Sequence, residues 1–115
     1  FQRANALNVK YILGEDILEH NLPAIENTLH NFMQGSGKFY LTVDMDVFDS
    51  ADAPGVSAPA SSGIQKHIVF RILKYLFASG KLAAFDIAET NPKHDIGGRT
   101  TGLAAYLLYL AVNCK

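Results

Sequence analysis

The sequence has no tryptophan, a single cysteine and almost no net charge. Ten Lys and Arg against eleven Asp and Glu leave no basic surplus of the kind that binds nucleic acid or anionic membranes, so we expect neither as a partner. One cysteine, Cys114, cannot form a disulfide within the chain. The longest apolar run, residues 103–112, is about half the length of a membrane span. Together with the lack of a signal-peptide pattern, these absences predict a soluble cytoplasmic protein.

The amino-acid composition is typical of an ordered protein. The chain has 115 residues, 49% of them hydrophobic and 18% charged, which is enough apolar surface for one domain and too few residues for two. Its first residue is Phe1 rather than methionine, so we expect the chain to be a piece of a longer protein.

Hydrophobic patterning predicts an α/β protein. Short β-rich runs alternate with amphipathic segments, with strands at residues 9–13, 39–43 and 82–87 and helices at about 23–34, 64–79 and 100–112. This alternation is typical of parallel strands joined by crossover helices. Residues 47–62 form a long loop rich in Pro, Gly, Ala and Ser, and loops of this length are often functional.

Acidic residues follow two of the predicted strands. Asp44 and Asp46 end the second strand, and Glu89 lies just past the third. The carboxyl ends of parallel strands gather at one edge of a sheet, where ligands bind. Residues two apart on a strand share a face, so we expect the two aspartates to point into one crevice, where Mg²⁺ or Mn²⁺ would relieve their repulsion. Capping or solvated turn acids are the alternative interpretation of the same pair.

Two segments carry a resemblance to a known family. One is YLTVDMDVFD at residues 40–49 with APG at residues 53–55, and the other is DIAETNP at residues 86–92. They resemble the second metal motif and the following strand of the arginase/agmatinase (ureohydrolase) superfamily. The GVSAP of residues 55–59 departs from the Gly-Thr-Gly-Thr-Pro type of arginases and agmatinases. It is similar to the formimidoylglutamase branch, as is the NPKHD of residues 91–95.

The resemblance implies a fold and a reaction. The fold is a three-layer α/β/α parallel sheet, and the reaction is Mn²⁺-dependent hydrolysis of N-formimidoyl-L-glutamate to L-glutamate and formamide in histidine degradation. Asp44 and Asp46 would be ligands of two Mn²⁺ ions, Glu89 would hold the cationic substrate nitrogens, and Asp49 would orient the loop. Arg99 is a candidate contact for the substrate carboxylate, with a solvated loop arginine as the alternative. Family members commonly assemble, which leaves a homo-oligomer open.

The histidine-containing metal motifs of the family's first half have no counterpart in this sequence. We therefore expect residues 1–115 to be the C-terminal portion of a ureohydrolase domain, incomplete for catalysis without the missing N-terminal half. Three alternatives stay open. They are an arginase- or agmatinase-type hydrolase of a guanidino substrate, a non-catalytic fragment, and a haloacid-dehalogenase-type phosphatase, whose signature also places Asp-x-Asp after an apolar strand.

Overall fold

The computed structural model describes residues 1–114 of the chain. The α-helices in this part are α1 (Gln2–Ala6), α2 (Leu22–Gln34), α3 (Lys66–Phe77) and α4 (Arg99–Asn113). The strands are β1 (Phe39–Asp44) and β2 (Leu82–Ala88), and short 3₁₀ turns occupy Gly14–Asp16, Glu19–Asn21, Met45–Val47 and Pro92–His94. The predicted helices correspond to α2, α3 and α4, whereas α1 has no counterpart among the predicted elements. Among residues 1–114, no helix combines the length and the hydrophobicity that a bilayer-spanning segment needs.

β1 and β2 form a parallel pair, with α3 between them in the chain. Thr42 is paired with Asp86 and Asp44 with Ala88, so the two strands end side by side. The Thr42 hydroxyl also donates a hydrogen bond to the Asp86 carboxylate across the pair. The α/β class with parallel strands is therefore confirmed, and the acidic ends of the two strands lie at the same edge of the sheet.

The predicted first strand, residues 9–13, is not formed. Val9, Tyr11 and Ile12 are exposed, and within the described residues this segment pairs with no strand. A strand is stable only where a neighbour accepts and donates its backbone hydrogen bonds, and an apolar run alone does not supply one. The prediction of a third strand is wrong for this part of the chain, although the segment has strand-like residues.

Helices cover one face of the two-stranded sheet. Val43 of β1 packs in the main core cluster with Leu73 of α3 and Leu107 of α4. On the opposite face Tyr40 and Thr42 are exposed, because alternate residues of a strand point to opposite sides. Residues 1–114 thus form two layers of the three-layer α/β/α arrangement that the resemblance implies.

The long loop between β1 and α3 is folded back on itself. Two isolated parallel bridges join Phe48 to Ile64 and Asp49 to Ala60. Phe48 is fully buried, so the loop has an apolar anchor of its own. Gly63 lies where this loop closes, and a β-carbon at that position would come within 2.2 Å of the Asp49 amide nitrogen. Only glycine lets the two backbone segments approach this closely.

We expect Gly63→Ala to destabilise the intact protein by about 1–3 kcal/mol, the usual cost of forcing an extra methyl into packed structure. The matched control is Gly102→Ala in α4, where no heavy atom lies within 4 Å of the new methyl group apart from the adjoining residues and the helix's own backbone. Gly102→Ala should leave the free energy of unfolding unchanged or raise it by up to about 1 kcal/mol, because alanine is the better helix former. Denaturant unfolding of both variants measures the difference, and equal stabilities would contradict this account of the loop.

A second contact ties the same loop to the start of α4. The Gly55 amide donates a 2.7 Å hydrogen bond to the hydroxyl of Thr100, which is fully buried. The Gly55 carbonyl accepts a 2.7 Å hydrogen bond from the Asn91 amide. A β-carbon at Gly55 would come within 2.6 Å of the Asp95 α-carbon, so the two loops are in backbone contact. We refer to Gly55, Asn91, Asp95 and Thr100 as the loop junction.

Asp95 holds the first turn of α4. Its carboxylate accepts hydrogen bonds from the Thr101 amide at 3.0 Å, the Thr100 amide at 2.9 Å and the Thr101 hydroxyl at 2.9 Å. These hydrogen bonds lower the pKa of the Asp95 carboxyl well below its ordinary value, and the bond from the Thr101 amide has the largest effect. Burial acts in the opposite direction. The charged form of Asp95 therefore stabilises the fold, and this contribution is present above the ordinary carboxyl pKa.

Replacing Asp95 by asparagine tests this contribution. We expect Asp95→Asn to lower the melting temperature of the intact protein at neutral pH. A carboxyl whose pKa is lowered by folding starts to lose its stabilising effect as the pH falls to the ordinary carboxyl pKa, and the loss is complete only below the folded value. The gap between the two proteins should therefore start to narrow below about pH 5 and should go on narrowing as the pH falls further. Asp52→Asn is the control, because Asp52 forms only a surface ion pair with Lys66. A gap for Asp95→Asn that does not change with pH would argue against the capping role.

Candidate metal and substrate site

Asp44 and Asp46 stand at the point where β1 changes into a turn. β1 ends at Asp44, and Asp46 lies inside the 3₁₀ turn Met45–Val47. The Asp44 carboxylate accepts a 2.9 Å hydrogen bond from the Asp46 amide and so caps this turn. Met45 is fully buried and anchors the turn against the core. Asp46 therefore lies outside the strand, and the expected alternation along β1 does not set the directions of the two acids. The capped turn sets the Asp46 backbone against the Asp44 carboxylate instead.

Asp46 has the environment of a cation ligand. One of its carboxylate oxygens, Oδ1, is buried and has no hydrogen-bond partner in the described structure. An unpaired buried carboxylate oxygen is costly, and proteins accept that cost where a cation or ligand completes the site. Asp46 also lines a cleft of about 660 Å³ between residues 14–20 and residues 60–68, to which Asp44 and Glu89 do not contribute. The donor chemistry of this turn thus fits a hard divalent metal ion.

Glu89 follows β2 directly, one residue after the strand position that pairs with Asp44. Neighbouring strands lie about 4.8 Å apart, so Glu89 stands at the same sheet edge as the aspartates. Its backbone is left-handed, with φ at 64°, which is unusual for a residue with a side chain. Its Oε2 accepts a 2.6 Å hydrogen bond from the hydroxyl of Ser57 in the long loop.

The other predicted residues have different surroundings. Asp49 accepts a 2.8 Å hydrogen bond from the Ala51 amide, the type of contact that orients a loop. The Arg99 guanidinium donates to the carbonyls of Ala51 and Ile96, at 2.9 and 3.3 Å. It therefore joins the loop to the start of α4, and a role in binding the substrate carboxylate stays a prediction. The four histidines, His20, His30, His67 and His94, are all exposed.

Sequence reasoning missed Ser57, Asp95 and Thr100. Ser57 and Glu89 are 32 positions apart, and no local spacing signals their contact. An acid shortly before a helix often caps it, and Asp95 lies just before α4. Gly97 and Gly98 separate Asp95 from the first residue of the helix, so the usual spacing of a helix cap is absent from the sequence.

Acids and histidines do not form a complete metal-binding site among the described residues. No group of three or more His, Cys, Asp or Glu side chains suitable for a metal ion occurs among residues 1–114. The Met45–Val47 turn and its cap supply two carboxylates, Asp44 and Asp46. A metal ion held there would need ligands from elsewhere.

The chain is similar in sequence and structure to known proteins of one family. The sequence profile described as the Arginase family matches residues 1–113. The formimidoylglutamase of Aeromonas salmonicida (strain A449) is 42% identical over 109 residues, which cover 95% of this chain and 35% of that protein. The crystal structure of formimidoylglutamase from Bacillus subtilis subsp. subtilis str. 168 superposes with a TM-score of 0.89 at 28% identity, covering 96% of this chain and 35% of that one.

The crystal structure of agmatine ureohydrolase of Thermoplasma volcanium is also similar, with a TM-score of 0.76 at 31% identity, covering 90% of this chain and 33% of that one. This chain spans about a third of the length of these relatives. The match extends over nearly all of its residues and includes the parallel strand pair, the capped acidic turn and the loop junction. The chain therefore belongs to the arginase family.

Proposed function

We propose that this chain is the C-terminal portion of a formimidoylglutamase, which hydrolyses N-formimidoyl-L-glutamate to L-glutamate and formamide with Mn²⁺. The observation that carries the proposal is that Asp44, Asp46 and Glu89 lie at or just beyond the paired ends of two parallel strands, with Asp46 Oδ1 buried and unpaired. The similarity to formimidoylglutamases over 95% of the chain supports the choice of substrate. A cytoplasmic location and assembly into a homo-oligomer stay predictions.

Asp44 and Asp46 are the residues that would hold manganese. Both carboxylates are hard oxygen donors, which suit Mn²⁺. The cap that Asp44 places on the Met45–Val47 turn fixes the backbone that carries Asp46, so the second carboxylate is held in place before any ion binds. A pair of Mn²⁺ ions, when bound, would supply a hydroxide near neutral pH by lowering the pKa of water.

Glu89 would hold the substrate. The formimidoyl group is an amidine and is cationic near neutral pH, so a carboxylate recognises it by a charge-assisted hydrogen bond. Glu89 carries the required charge and projects from the strand next to the aspartates. Its carboxylate would orient the formimidoyl carbon toward the metal side of the edge and offset the positive charge of the bound group. Asp49 would keep the loop beneath it in place.

The chain alone would not complete this site. Two carboxylates do not enclose two metal ions, and the relatives are about three times as long as this chain. We therefore propose that the other ligands come from the N-terminal portion of the intact protein, and that residues 1–115 by themselves do not turn over substrate. Hydrolysis of a guanidino substrate is the second candidate, because agmatine ureohydrolase of Thermoplasma volcanium shares this fold at 31% identity.

The test is formamide release by the intact protein with and without Mn²⁺. We expect release from N-formimidoyl-L-glutamate to require Mn²⁺, and Glu89→Ala to lower kcat/KM by about 100-fold or more, because it removes a charge-assisted partner of the substrate. Glu26→Ala is the matched control. Glu26 of α2 forms an ion pair with Arg71 of α3, and its loss should change kcat/KM little.

Parallel assays of urea release from agmatine and arginine decide between the two candidate substrates. Turnover of a guanidino compound with no formamide release would favour the second candidate. Full activity of Glu89→Ala on N-formimidoyl-L-glutamate would show that Glu89 does not bind the substrate, whichever substrate is used.

A further inference from the structure

Ser57 and Glu89 form a hydrogen bond that the proposed mechanism has not used. The Ser57 hydroxyl donates to Glu89 Oε2 at 2.6 Å, although both residues are exposed. Between two freely moving surface groups such a bond contributes little, because water competes for both partners. Here both partners are held by their backbones.

The Glu89 backbone is fixed in an unfavourable conformation. A left-handed φ of 64° at a residue with a side chain costs about 1–2 kcal/mol, and it persists only where the surroundings determine it. The Asn91 amide, two residues beyond Glu89, donates to the carbonyl of Gly55, two residues before Ser57. The two loops are thus joined beside the Ser57–Glu89 bond, and the joint brings hydroxyl and carboxylate together.

The loop on the serine side is equally fixed. The Gly55 amide donates a hydrogen bond to the buried Thr100 hydroxyl. The backbone of Gly55 lies so close to Asp95 that a β-carbon at position 55 would not fit. Val56, between Gly55 and Ser57, is buried. Ser57 therefore projects its hydroxyl from a segment that is anchored on its N-terminal side.

We propose that Ser57 is a positioning residue for Glu89. The Ser57 hydroxyl occupies Oε2 of the Glu89 carboxylate and leaves Oε1 to accept a hydrogen bond from the cationic nitrogen of the substrate. This inference rests on the proposed function of Glu89. A carboxylate that is free to rotate must be ordered each time substrate binds, whereas one already hydrogen-bonded on one oxygen is ordered beforehand. The Gly-Thr-Gly-Thr-Pro loop of arginases and agmatinases has glycine at the position of Ser57, and glycine has no hydroxyl to donate.

The experiment compares Ser57→Ala and Ser57→Thr in the intact protein, with kcat/KM for Mn²⁺-dependent formamide release as the readout. We expect Ser57→Ala to lower kcat/KM about tenfold and Ser57→Thr to retain activity near that of the natural protein, because threonine keeps the hydroxyl. Ser61→Ala, a change at another exposed serine of the same loop, should have no effect. Melting temperature and manganese content should not change in any of the three variants.

A double variant separates positioning from an independent effect. In a Glu89→Ala background Ser57→Ala should cost nothing further, because the carboxylate that it positions is gone. An undiminished tenfold loss in that background would overturn the inference, as would full activity of Ser57→Ala in an otherwise active protein. An intact natural protein that releases no formamide would overturn the proposed function and this inference with it. An active protein with an indifferent Ser57 would overturn the inference alone.

Discussion

The contact between Gly55 and Thr100 is the constraint on which the rest of this structure depends. The Gly55 amide donates a hydrogen bond to the buried Thr100 hydroxyl, and the Gly55 carbonyl accepts one from the Asn91 amide. These two bonds join loops that are far apart in sequence. The loop after β1 cannot move away from the segment after β2 without leaving a buried hydroxyl and three backbone groups unpaired, which is costly. Asp95 adds a second tie by holding the first turn of α4 beside the same glycine.

This junction explains how exposed residues at a sheet edge keep a fixed arrangement. Asp44 and Asp46 are set by a capped turn above a buried methionine, and Glu89 is set by a strained backbone between β2 and the junction. The chain thus holds these three acids at or just beyond the paired ends of its two strands. Membership of the arginase family accounts for the acids at these strand ends. It leaves no support for the haloacid-dehalogenase-type alternative, whose motif shares only the Asp-x-Asp. The energy that fixes this arrangement comes from the core and the loop junction.

Much of this arrangement could be predicted from the sequence, and the rest depends on contacts that no local pattern encodes. Strand and helix periodicity located β1, β2 and α2 to α4, and the rule for parallel strands placed Asp44 and Glu89 at one edge. Residues 9–13 have strand composition but no neighbour in this part of the chain, and pairing is a property of the fold rather than of the segment. The hydrogen bond from Ser57 to Glu89 joins residues that only the folded loops bring together.

The central proposal is that the capped turn after β1 supplies two ligands of a manganese site, Asp44 and Asp46. Anomalous diffraction at the manganese edge, from crystals of the intact protein grown with Mn²⁺, tests it most directly. The account predicts anomalous peaks within coordination distance of the carboxylates of Asp44 and Asp46, with Asp46 Oδ1 among the ligands. Manganese bound elsewhere, with Asp46 Oδ1 hydrogen-bonded to a protein group of the intact chain, would contradict it.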